Sequence, residues 1–93
     1  MIEKQRIDKW LWCARVVKSR SLAARLVCDG HVRLNARRIE TAAKPVHPGD
    51  ILTIALDHQV RVLKVVTSAS RRAAFPEAQS LFEDLTFAPS PET

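Results

Sequence analysis

The residues most able to do chemistry are few, and their spacing excludes more than it allows. Cys28 and His31 stand three apart, a spacing that can hold a metal, but Cys13, His47 and His58 do not complete a zinc pattern around them. No metal or cofactor is therefore expected. The only glycines are Gly30 and Gly49, so the chain has neither a phosphate loop nor a nucleophile elbow. Asp50 sits in a Gly-Asp turn, where carboxylates are common for backbone reasons. No catalytic constellation remains, and the reading is that the chain is not an enzyme. What does remain is arginine. Arg15, Arg20, Arg25, Arg33, Arg37 and Arg38, with Lys9 and Lys18, crowd into the stretch between Arg6 and Arg38. Guanidinium groups bind phosphate bidentately and stack on bases, whereas lysine acts mainly as a point charge, so this stretch suits recognition of a polyanion.

The distribution of charge strengthens that reading. The formal net charge is +5. From Met1 to Arg38 ten Lys and Arg residues face three carboxylates, and from Ile39 onward five face seven. A basic front and a slightly acidic rear favour a nucleic-acid partner, because each phosphate contact releases condensed counterions. A solvated charged face is the simpler reading for one basic helix. Here the charges recur over two helices and a hairpin in succession, and they are expected to converge into one cationic patch.

The elements that must position these side chains can be read from periodicity. Ile7, Trp10, Leu11, Ala14 and Val17 form one helical stripe, with Asp8 at the start, where a carboxylate meets orphan N–H groups and the positive end of the dipole. Lys9, Trp12 and Arg15 project away from it. Trp12 has two readings, a platform for an unpaired base or a core residue under the later elements. The small apolar content of a 93-residue chain favours the core. Ser19 is placed to cap a second helix to about Cys28, with Leu22, Ala23, Leu26 and Val27 inward, and Gly30 to end it in the left-handed conformation. Both cysteines fall in apolar helical pattern and are expected to be reduced and buried.

His31 to Leu34 alternates as a half-buried strand, and Asn35-Ala36 turns it into Arg37-Arg38-Ile39. Ala36 is a poor turn residue, since alanine resists positive φ. Thr41 to Pro48 reads as a loop, Ile51 to Leu56 and Gln59 to Val66 as strands, and Pro76 to Leu85 as a final helix with Ala78, Leu81, Phe82 and Leu85 on its apolar side. The expected organisation is an N-terminal arm over residues 1–5, a binding domain over 6–66, a linker and packing helix over 67–86, and a disordered tail over 87–93. Met1 to Arg6 carries no apolar signal core and no run approaches a membrane span, so a cytoplasmic, bacterial protein without membrane contact is expected.

Read together, R-I-D-K-W-L, S-R-S-L-A, L-V-C-D-G-H-V-R-L-N and P-G-D-I-L occur in order, within a stretch that runs roughly from Arg6 to Leu56. This series resembles the S-four RNA-binding domain family, named after a small-subunit ribosomal protein. K-W-L-W-x-A-R in the first helix and the Arg-Arg-x-Ala segment at Arg71 are further similar to a small, ribosome-associated heat-shock member. The resemblance implies an α+β fold of the αL type, a helix pair packed on a small antiparallel sheet, here with an additional C-terminal helix. It implies RNA binding through Lys9, Arg15, Lys18, Arg20, Arg25, Arg33, Asn35, Arg37 and Arg38. The implied partner is ribosomal RNA of the large subunit, with tRNA as a second RNA, in recycling or rescue of stalled nascent-chain complexes; a monomer is expected. Ala36 departs from the family's turn glycine, and an acidic, proline-bearing tail stands where that member has a long basic extension. Two other readings compete: a DNA-binding helix-turn-helix, and a protein-interaction adaptor using the final helix.

Overall fold

The structure is a computed structural model and describes residues 5–69 and 75–86. Residues 1–4 of the expected arm, the Arg71-Arg72 segment and the expected disordered tail lie outside the described residues. Helix α1 spans Ile7–Cys13 and helix α2 spans Arg20–Cys28. Ser19 caps α2 as its sequence position predicts, its hydroxyl oxygen accepting the Leu22 N–H at 3.1 Å. Both helices end with the same pair of bonds. In α2 His31 N–H reaches Leu26 O at 2.9 Å and Gly30 N–H reaches Val27 O at 3.0 Å, with Gly30 at φ 82°. In α1 Val16 N–H reaches Leu11 O at 3.0 Å and Arg15 N–H reaches Trp12 O at 3.1 Å, so the left-handed position is taken by Arg15 at φ 59°.

Strands β2 (Val32–Leu34), β3 (Arg37–Arg38), β5 (Ile51–Ala55), β6 (Val60–Val65) and β7 (Phe82–Asp84) form an antiparallel sheet in the order β3-β2-β5-β6-β7. Alternation turns Val32, Leu34, Leu52, Ile54, Leu63 and Val65 inward, where they are buried with Ile7, Trp10, Leu11, Ala23 and Val27 in one core. Trp10 anchors that core as its place in the stripe predicts. It is fully buried and its indole N–H donates to Thr67 O at 2.9 Å. Trp12 is half-buried against the same cluster, which is the second of its two readings.

Several expectations need correction. Instead of a helix from Pro76 to Leu85 there is a four-residue helix, α3 (Phe75–Ala78), a 3-10 turn over Gln79–Leu81, and then strand β7. A ten-residue helix is marginal by itself, while the free edge of β6 offers a row of backbone groups to pair. Strand β7 takes that edge, with Phe82 opposite Val65, Glu83 opposite Lys64 and Asp84 opposite Leu63. Phe82 then meets Trp10 edge-on, ring centroids 6.2 Å apart, and Arg61 lies 5.6 Å over its ring. Part of the expected loop, Pro45–Val46, is strand β4, paired with strand β1 (Gln5–Arg6). Leu22 is 38% exposed and Cys28 is exposed, because the side of α2 turned inward carries Ala23 and Val27, fully buried, with Leu26 partly buried beside them; Cys13 is buried as expected.

The hairpin turn forms despite its alanine. Asn35 and Ala36 take φ 52° and 71°, the pair of positive angles that a two-residue hairpin turn requires. Asn35 holds the turn with both ends of its amide. It accepts the Ile51 N–H at 2.9 Å and donates to Asp50 Oδ1 at 3.1 Å. Asp50 Oδ2 in turn accepts the His47 N–H at 2.8 Å, so the carboxylate of the Gly-Asp turn does backbone work.

Candidate RNA interface

The nine residues implied in RNA binding fall into a helical group and a hairpin group. Lys9 lies half-exposed on α1, Arg15 is exposed at its left-handed terminus, and Lys18 is exposed in the connection to α2. Arg20 opens α2 and Arg25 stands exposed one turn from its end. In the hairpin Arg33 is opposite Arg38, and Leu34 is opposite Arg37. Because Val32 and Leu34 are buried against the helices, Arg33 and its cross-strand partner Arg38 belong to the sheet face turned away from them. Arg37 shares the inward face at the edge strand, where it is exposed. The cations thus divide between the helix pair, the inward side of the β3 edge and the outer sheet face, and not over one flat face of the sheet.

Ion pairing sorts them further. Asp8 is the one described charged residue that is buried, with a side chain 5% exposed. Its carboxylate accepts two bonds from Arg6, at 3.2 and 3.1 Å, and the Lys9 N–H at 2.7 Å, and Arg20 lies 3.6 Å away. Sequence reasoning placed Asp8 at the helix start but missed that it ties Arg20 of the second helix to the first. No local spacing signals that contact. Arg20 is therefore partly neutralised within the fold, and so is Arg38, 3.4 Å from Glu40. The Arg38 guanidinium also lies over Gly30, where an added Cβ would sit 2.5 Å from its Nε. Among the described residues no carboxylate pairs with Lys18, Arg25, Arg33 or Arg37. Asn35 is bonded within the turn and shapes the hairpin tip.

Away from this surface, Asp84 is held below the ordinary carboxylate value of 3.8, first by hydrogen bonds from Thr86 and then by Arg61, with burial opposing. Its Oδ1 accepts the Thr86 N–H at 2.9 Å and its Oδ2 lies 3.1 Å from Arg61, contacts that fasten the end of β7. Among the described residues no three His, Cys, Asp or Glu side chains are grouped to hold a metal, and no helix is long and apolar enough to cross a membrane.

Comparison with known proteins identifies the family. Residues 5–52 match the profile of the S4 domain, the family the ordered motifs resemble. The heat shock protein 15 homolog of Haemophilus influenzae is 35% identical over 85 residues, covering 90% of this chain and 64% of that protein. Heat shock protein 15 of Escherichia coli K12 is 34% identical over 79 residues, covering 85% of this chain and 59% of that protein. The chain thus spans about three-fifths of the length of these relatives. The solved trimeric structure of Vibrio cholerae heat shock protein 15 superposes with a TM-score of 0.82 at 36% identity, covering 88% of this chain and 82% of that one. The chain belongs to the S4 RNA-binding domain family, within its heat shock protein 15 branch.

Proposed function

We propose that this chain binds ribosomal RNA of the large subunit, with tRNA as a second contact, and acts in the cytoplasm on subunits stalled with a nascent chain or peptidyl-tRNA. The observation that carries this reading is the set Arg25, Arg33 and Arg37, exposed and without a carboxylate partner among the described residues. Side chains left uncompensated on the elements that an S4 domain supplies are available to phosphates, whereas Arg20 and Arg38 already answer to carboxylates of the fold. Lys9, Arg15 and Lys18 would extend the grip along the helix pair, and Asn35 would present the hairpin tip.

Co-sedimentation with purified large subunits through a sucrose cushion tests the proposal. Arg25, Arg33 and Arg37 changed together to Glu should abolish it while leaving the circular-dichroism melt intact. Unchanged co-sedimentation of this variant removes the proposal, and stronger competition by duplex DNA than by ribosomal RNA replaces it with a DNA reading. We take a single copy as the binding unit, since every implied contact lies on one chain. The Vibrio cholerae relative is trimeric, and sedimentation equilibrium with and without RNA compares the two states directly.

A further inference from the structure

Two adjoining hollows, of about 460 and 380 Å³, form a groove between the α1–α2 connection and the β5–β6 turn. Leu22, Leu26 and Leu56 supply its apolar wall, and Arg15, Lys18 and Asp57 stand around it. Leu22 is 38% exposed, an outward leucine on a helix that turns Ala23 and Val27 fully, and Leu26 partly, into the core. We infer that this groove is a slot for one unstacked base of the bound RNA, a specificity element that rests on the proposed RNA-binding role and deepens it.

Three observations carry the inference. First, the wall is apolar while the rim is cationic, with Arg15 and Lys18 lining it and Arg25 one helical turn from Leu22. That pattern suits a nucleotide, whose base seeks an apolar surface while its phosphates seek cations. A purely apolar partner would gain nothing from the rim. Second, Arg15 holds a left-handed backbone at the terminus of α1, and the equivalent position of α2 is Gly30. A non-glycine residue there is strained, so arginine stands where glycine would ease the turn, and its place is the mouth of the groove. Third, Asp57 at the rim is an acceptor suited to the exocyclic amino group of a base, such as adenine's. Extruded bases are held elsewhere in this manner, between apolar side chains with polar groups on the base edge.

Fluorescence anisotropy of the full chain tests the slot with two RNA hairpins at one salt concentration. One carries a single bulged adenosine; the other carries an abasic residue at that position, so the phosphates are the same. The wild-type chain should bind the adenosine hairpin about tenfold more tightly. Leu22→Asn should erase that difference without changing the salt slope, and Leu22→Met should keep it. Leu22→Met should melt with the wild type, and Leu22→Asn should stay folded at the assay temperature with a lower midpoint. Equal affinity of the wild type for the two hairpins, or discrimination that persists in Leu22→Asn, overturns the slot and leaves the RNA-binding proposal standing. Self-association of the wild type that Leu22→Asn abolishes assigns the groove to a second copy and overturns the slot as well. Failure to bind either hairpin or isolated large subunits removes both readings together.

Discussion

Replacing Arg25, Arg33 and Arg37 together by Ala separates electrostatic recognition from folding. The three guanidinium groups are exposed and have no carboxylate partner among the described residues, so their loss removes no internal ion pair. Surface changes of this kind alter stability by about 0.5 kcal/mol or less each. Their effect on RNA binding is of a different order. Each phosphate contact contributes about 0.7 to the slope of log K against log salt on single strands and about 0.9 on duplex. Three lost contacts should flatten that slope by roughly 2 to 3. Between 50 and 200 mM salt the advantage of the wild type should then shrink by about 20- to 40-fold. Titration of labelled large-subunit RNA by anisotropy at three salt concentrations measures this directly. A triple variant with the wild-type slope refutes the reasoning. So would a loss of stability well beyond the roughly 1.5 kcal/mol that three such surface changes can sum to, since it would mean these arginines serve the fold.

Other expectations follow from the internal contacts. Asp8→Asn removes the charge that binds Arg6 and Arg20 between the helices and should cost about 1–2 kcal/mol in urea denaturation, because charge-assisted bonds are lost but both arginines can reach water; a neutral result would show that the helix pair holds without it. Asp84 titrates below its ordinary 3.8 in the folded chain, so its contribution exists above that value and disappears as pH falls through the lowered one. Thermal melts between pH 5 and pH 2 should therefore decline less steeply for Asp84→Asn than for the wild type, and equal slopes would remove Asp84 from the acid response. Ala36→Gly relieves an L-residue held at φ 71° and should stabilise the chain by about 0.5–1 kcal/mol after the entropy cost of glycine, seen as a higher urea midpoint. A lower midpoint would mean that the alanine methyl packs usefully at the hairpin tip.

The parts of this protein that could be read from sequence are those governed by neighbours a few residues apart. The stripe of Ile7, Trp10 and Leu11, the Ser19 cap, the Gly30 terminus, the alternation around Arg33 and the Gly-Asp turn all express backbone geometry and local hydrogen bonding. Each appears in the structure as those rules require. Chain-wide charge polarity, together with the order of the motifs, likewise led to the RNA-binding family. Tertiary structure alone decided the rest. Ala78, Leu81, Phe82 and Leu85 fit a helix by spacing, yet the unpaired edge of β6, formed some twenty residues earlier, draws Phe82–Asp84 into a strand. Leu22 fits a buried stripe, but the face of α2 turned to the core is filled by Ala23 and Val27 with Leu26 at its margin. Asp8 meets Arg20 only after two helices pack, which divides arginines that look alike in sequence into those held by a carboxylate and those, such as Arg25, Arg33 and Arg37, without one among the described residues. Periodicity assigns a side chain to a face of its own element; only packing determines whether that face is covered by another part of the chain or left to solvent.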